Sequence, residues 1–77
     1  MIKVYLVNRT DYRGNKPIKV FLLRESAKFF KGECDIALKL IFQSDEPEKE
    51  FSLLKQFDSD AIFSHTINYE IEEIQSE

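Results

Sequence analysis

This 77-residue sequence contains one thiol, that of Cys34, and one imidazole, that of His65. Both groups can act in nucleophilic catalysis or as metal ligands. A Cys–His pair could act as a nucleophile with its base, and both residue types bind zinc. Cys34 falls on the apolar stripe of a predicted helix, however, where a thiol is packed and unreactive. One Cys and one His also fall short of the four ligands of a zinc site unless carboxylates or a second chain add the rest. The sequence therefore predicts no catalytic residue, no metal site and no cofactor, and we expect the protein not to be an enzyme.

The 14 Asp and Glu residues show no pair placed for acid–base chemistry. Asp58 and Asp60 lack the glycine and the terminal glutamate that a calcium loop needs around them. General acid–base catalysis requires a carboxyl group in a pocket that shifts its pKa, and an alternating solvent-facing strand offers no such pocket. The two glycines, Gly14 and Gly32, cannot build a phosphate-binding glycine-rich loop. We therefore interpret the carboxylates as surface charge.

The net charge of −3 conceals an uneven distribution along the chain. Residues 1–31 carry eight basic and two acidic residues, whereas residues 32–77 carry three basic and twelve acidic ones. Such an asymmetry indicates either two halves that neutralise each other across a sheet or a surface with an acidic side that docks on a basic partner protein. Acids at a helix start or a sheet edge can also simply complement the helix dipole or prevent aggregation. The predicted partner-binding residues are Asp45, Glu46, Glu48, Glu50, Glu70, Glu72 and Glu73.

A basic segment offers an alternative function. Arg9, Arg13 and Lys16 surround Tyr12 in a predicted hairpin loop. Such a loop could contact phosphates while the tyrosine ring stacks on a base. The acidic total, with an isoelectric point near 5.2, argues against it. A nucleic-acid-binding regulator is therefore the second hypothesis.

Period-two alternation predicts two strands at the start of the chain, over residues 2–7 and 18–22. Between them, residues 8–17 are rich in turn-forming types and predict a long hairpin loop with its sharp turn at Gly14-Asn15. Pro17 cannot donate a ladder hydrogen bond, so we expect it at the start of the second strand.

A helix is predicted from Ser26 to about residue 42, because the apolar residues change to a spacing of three and four. Residues 36–42 also alternate, so a third strand after a shorter helix is the competing interpretation. Helix is preferred, because Ala, Leu, Lys and Gln favour it. The stripe consists of Ala27, Phe30, Cys34, Ala37, Leu38 and Ile41.

A second helix is predicted over about 46–57, with Ser44 or Asp45 as its cap, and a final strand from about Ala61 to about Ile74. The last strand is expected to pair with the first. The predicted fold is therefore a single α+β domain over residues 1–77, in which one or two helices pack on one face of an antiparallel three-stranded sheet in the order ββααβ.

Four segments mark the layout of this chain: Val4-Tyr5-Leu6-Val7, Val20-Phe21, Ser26-Ala27 and Tyr69-Glu70-Ile71-Glu72-Glu73. With these segments the layout resembles that of small, mostly uncharacterised ββαβ proteins of phages and mobile elements. The longer helical middle and the extra segment 44–57 depart from the pattern. The resemblance implies a non-enzymatic role in host interaction or regulation, and it carries no site residues with it.

Together these observations predict a phage-type interaction protein that binds a larger, basic host protein and inhibits or modulates it, for instance in host defence. We expect it in the cytoplasm of a bacterium or an infected cell, because no signal peptide or membrane-spanning run is evident and Cys34 has no disulfide partner in the chain. Phe29 and Phe42 lie off the helical stripe, and Tyr5 and Phe21 share one face of the sheet. Any of these aromatic rings that is exposed would mark an interface, such as one between two copies of the chain.

Overall fold

The computed structural model describes residues 2–76, which form a three-stranded sheet and a layer of helices. β1 (Ile2–Asp11) is the central strand between β2 (Gly14–Phe21) and β3 (Asn68–Ser76), and both pairings are antiparallel. α1 (Arg24–Gln43) is followed by two short helices, α2 (Pro47–Glu50) and α3 (Ser52–Lys55). The predicted α+β fold and its element order are confirmed. No helix within residues 2–76 is long and apolar enough to cross a membrane.

The first hairpin is much tighter than predicted. β1 and β2 stay paired to Asp11 and Gly14, so the turn consists of Tyr12 and Arg13 alone. Gly14 has a φ of +110°, a conformation that side chains rarely adopt, and the Asp11 carboxylate accepts a hydrogen bond from the Arg13 amide at 2.8 Å. The predicted long loop over 8–17 and its turn at Gly14-Asn15 are therefore wrong.

β2 is an edge strand, and its proline lies inside it rather than at its start. The register shifts by one residue between the pairs Val7–Lys19 and Asn8–Pro17, which leaves Ile18 as an extra residue on β2. A bulge on an edge strand is a position that tolerates the missing N–H of proline.

α1 continues through residues 36–42, so the alternative of a third strand there is wrong. The reason is that the apolar stripe persists to the end of the helix: Ala37, Leu38 and Ile41 are buried. The other apolar residues of this segment, such as Ile36, remain exposed. The stripe that the sequence predicts is thus the face that α1 packs on the sheet.

The second helical segment is divided into α2 and α3 on either side of Phe51, whose ring is buried together with Leu54. Glu46, rather than Ser44 or Asp45, occupies the N-cap of α2, and no side chain of residues 2–76 caps this helix. The last strand begins at Asn68, later than the predicted Ala61, because residues 61–67 form a loop that buries Ala61 and Ile67 in the core.

The helices pack on one of the two faces of the sheet. Val7, Arg9 and Asp11 of β1 face the helices with Tyr69 of β3, and the core lies there. No helix of the described chain covers the opposite side, which we call the open face. Its strand residues, given by the alternation and register, are Ile2, Val4, Leu6, Asn8, Thr10, Asn15, Pro17, Val20, Asn68, Glu70, Glu72 and Ile74.

Candidate binding surface

A buried ion pair joins the sheet to the segment that follows α3. Arg9 Nη1 lies 2.8 Å and 2.7 Å from the two carboxylate oxygens of Asp58, and both residues are less than 5% exposed. The Tyr69 hydroxyl donates a hydrogen bond to Asp58 Oδ2 at 2.9 Å. Burial and this bond to a carboxylate raise the pKa of Tyr69, so the hydroxyl keeps its proton. The ion pair fixes the chain after α3 against β1.

The hairpin tip extends this network toward the surface. Arg13 Nη2 lies 2.8 Å from Asp11 Oδ2, and Arg9 Nε lies 3.3 Å from the same oxygen without forming a hydrogen bond. The hydrogen bonds from Arg13 hold the pKa of Asp11 below its usual range. Lys16 pairs with Asp60 at 3.1 Å and lowers the pKa of that carboxyl group in the same way.

This arrangement separates the four residues predicted to bind phosphate. Arg9 is 2% exposed and lies within the protein, so it cannot belong to a phosphate-binding surface in this conformation. Arg13 and Lys16 are each held by a carboxylate. Tyr12 is exposed at the hairpin tip, with the Arg13 guanidinium 5.9 Å from its ring centre. The basic loop that the sequence suggests is therefore largely neutralised by Asp11, Asp58 and Asp60.

Cys34 and His65 lie in different surroundings. Cys34 is fully buried in the core, and burial raises the pKa of its thiol to about 12. His65 is exposed, and its ring packs against Phe42 and Phe63 at centroid distances of 6.0 Å and 5.1 Å. No group of three or more His, Cys, Asp or Glu side chains among residues 2–76 is placed to hold a metal ion.

The predicted acidic residues lie in separate places. Asp45, Glu46, Glu48 and Glu50 are exposed before and along α2, in the helical layer, and Glu46 is paired with Lys49 at 3.2 Å. Glu73 lies opposite Tyr5 on the helix side of the sheet. Glu70 and Glu72 lie on the open face.

The open face is apolar at one end. Val4 and Leu6 of β1 lie between Val20 of β2 and Ile74 of β3. Val20 is 57% exposed and Ile2, at the same end, is 62% exposed. Directly after β2, Leu22 and Leu23 are also exposed. An apolar patch of this kind rimmed by polar residues is typical of an interaction site.

The other end of the open face is polar and acidic. Asn8 lies opposite Glu70, and its Nδ2 donates a hydrogen bond to Glu72 Oε1 at 2.9 Å. Asn8 is only 5% exposed, and its Oδ1 has no hydrogen-bond partner in the described protein. Glu70 Oε1 accepts one hydrogen bond, from Asn68 Nδ2 at 3.2 Å. Neither glutamate forms an ion pair within the described chain.

The four aromatic residues that the sequence offers as candidates for an interface divide between the two layers. Phe29 and Phe42 are exposed, as expected from their position off the helical stripe. Tyr5 and Phe21 pair directly on the helix side and are half-buried, so the apolar patch of the open face consists of aliphatic residues instead.

No protein-family model, no curated protein and no solved structure matches this chain. The resemblance to small ββαβ proteins of phages and mobile elements therefore stays a prediction.

Proposed function

We propose that the protein is a small, non-enzymatic binding protein that docks on a larger protein with a basic surface through its open face. The observation that carries this proposal is the composition of that face, which combines exposed aliphatic side chains with carboxylates that have no cationic partner within residues 2–76. Two independent properties of the open face support it, its exposed apolar surface and its negative charge.

The apolar end supplies the driving force for association. Val20, Ile2 and Ile74 are exposed on the strands, and Leu22 and Leu23 extend the patch past the end of β2. Removing such side chains from water on binding is worth about 25 cal/mol per Å² of apolar surface. Leaving this apolar surface in contact with water is unfavourable for the free protein, and such exposure is typical of a surface that a partner covers.

The charges specify what kind of partner. The described strand residues of the open face include Glu70 and Glu72 but no Lys or Arg. Complementary charge on the partner would steer association and fix its orientation. The acids around α2 lie in the other layer and would add only long-range attraction.

A larger partner fits this face better than a second copy does. From strand dimensions, ten residues and three strands span about 33 Å by about 14 Å, a footprint of roughly 470 Å². Any partner confined to this face would bury roughly twice that area, less than the roughly 1,200–2,000 Å² of a usual stable interface, so a stable complex needs contacts beyond the face, which a larger protein can supply. Two copies packed face to face would also bring two acidic faces together. A homodimer is therefore an outcome to be tested rather than the proposal.

The proposed action on the partner is inhibition or modulation of a host protein in the cytoplasm of a bacterium or an infected cell. It is supported by the charge of the open face and by the resemblance to small phage proteins. The nucleic-acid alternative has weaker support, because Arg9 is buried and both Arg13 and Lys16 are paired with carboxylates.

The test is a tagged pull-down from native host lysate at low and moderate salt, with two variants of equal net charge. Glu70→Lys/Glu72→Lys reverses the open face, whereas Glu48→Lys/Glu50→Lys reverses α2. We expect one host protein to be retained by the wild type and the α2 variant and lost by the open-face variant. Thermal melting followed by circular dichroism establishes that both variants fold, and size-exclusion chromatography with light scattering gives the oligomeric state. Enrichment of nucleic acid without a host protein would contradict the proposal.

A further inference from the structure

We infer that Asn8, Glu70 and Glu72 form a recognition site for an arginine side chain of the partner. The inference rests on the proposed function and deepens it, because it assigns the chemistry that the polar end of the open face recognises.

The first observation is the unsatisfied amide oxygen of Asn8. This residue lies on the central strand and is 5% exposed, yet its Oδ1 accepts no hydrogen bond from the described protein. A buried acceptor without a partner costs about 1–3 kcal/mol, so such groups usually meet a donor from water or from a ligand. The amide nitrogen donates to Glu72 and the oxygen is enclosed, so a donor from outside satisfies this oxygen once the Asn8 side chain turns toward the open face.

The second observation is the pair of carboxylates around that oxygen. Glu70 lies directly opposite Asn8, and Glu72 is tied to it by the hydrogen bond at 2.9 Å. Being two residues apart on one strand, the glutamates project from the same face about 7 Å from each other along β3. Each is exposed and accepts one hydrogen bond from a neutral amide, so each retains capacity for a cation.

An arginine satisfies these acceptors better than a lysine. Its planar guanidinium presents five N–H donors in a fixed fork, which can serve a carboxylate and an adjacent amide oxygen together. Its aliphatic stem would lie on Leu6, the neighbour of Asn8 on this face, and on Val20 opposite Leu6. The site therefore joins the polar and apolar ends of the open face into one surface.

The experiment is an NMR titration of the full ¹⁵N-labelled chain with two probes, acetyl-Leu-Arg-Leu-amide and the same peptide with citrulline, a neutral isostere of arginine. We expect saturable shifts of the Asn8 side-chain amide and of the backbone amides of Glu70 and Glu72 with the arginine peptide. The citrulline peptide should bind about tenfold more weakly or worse, since charge-assisted bonds are lost.

Two glutamine variants of equal net charge provide the control. Glu70→Gln/Glu72→Gln should weaken binding of the arginine peptide about tenfold or more, whereas Glu48→Gln/Glu50→Gln should leave it unchanged. The spectra themselves establish that each variant folds. Equal binding of both peptides, shifts spread over all acidic residues, or no saturable shift would overturn the inference. If one of these results occurs but Glu70→Lys/Glu72→Lys still loses the host protein in the pull-down, the proposed function stands without the arginine site.

Discussion

The buried ion pair between Arg9 and Asp58 can be broken by Asp58→Asn, a substitution that preserves the shape of the side chain. The change leaves a guanidinium that is 2% exposed without its carboxylate, and the remaining carboxylate, Asp11, lies 3.3 Å from Nε. Removing one partner of a buried pair costs about 3–5 kcal/mol, and we expect the lower end of this range because Asp11 compensates in part.

That loss is large for a chain of this size. A 77-residue domain at the usual stability per residue has a free energy of unfolding of roughly 4–12 kcal/mol. The assay is urea unfolding followed by circular dichroism at neutral pH, with linear extrapolation to water. Arg9→Met/Asp58→Asn should be more stable than Asp58→Asn alone, because the double change removes the uncompensated charge.

The matched control is Asp60→Asn, which breaks the exposed pair with Lys16. An exposed pair contributes little, so this variant should unfold close to the wild type. If Asp58→Asn loses no more stability than Asp60→Asn, the buried ion pair does not have the role assigned to it.

Two further predictions concern single positions. Gly14→Ala should lower the free energy of unfolding by about 1–3 kcal/mol, because Gly14 has a φ of +110°. Gly32→Ala in α1 should raise the free energy of unfolding by about 1 kcal/mol, because an added Cβ meets nothing within 4 Å there. Urea unfolding measures both variants, and equal effects would contradict the account. Burial raises the pKa of Cys34 to about 12, which keeps the thiol protonated at neutral pH. Iodoacetamide should therefore alkylate the native protein far more slowly than the unfolded chain. Mass spectrometry measures the two rates, and equal rates would refute the burial.

Most of the fold could be predicted from hydrophobic periodicity. The stripe that includes Cys34 and Ile41 predicts α1 and the face it buries, and the alternation of Tyr69 and Ile71 predicts the strand face that packs below it. These patterns are local, so one sequence suffices to recognise them. The element boundaries depended instead on tertiary contacts.

The hairpin illustrates what the sequence could not provide. The turn at Tyr12 and Arg13 depends on the carboxylate of Asp11 and on Gly14 after the turn, whereas composition pointed to the glycine itself as the centre of the turn. An error of this kind moves the register, and register decides which residues share a face.

The candidate binding surface was predicted only in part for the same reason. That Glu70 and Glu72 share a face follows from alternation, but their position beside Asn8 requires the pairing of β1 with β3. The sequence predicts Arg9 in a loop, because its buried partner, Asp58, lies 49 residues away along the chain and gives no local signal. Long-range pairs of this kind leave no local pattern.

The open face as a docking surface is the central claim, and the most direct measurement is the amount of host protein retained by two charge-reversed variants. The ratio of the amount retained by Glu70→Lys/Glu72→Lys to that retained by Glu48→Lys/Glu50→Lys compares the two acidic surfaces at equal net charge. We predict a ratio near zero. A ratio of one or more would contradict the claim, because it would assign the partner to α2 or to net charge alone.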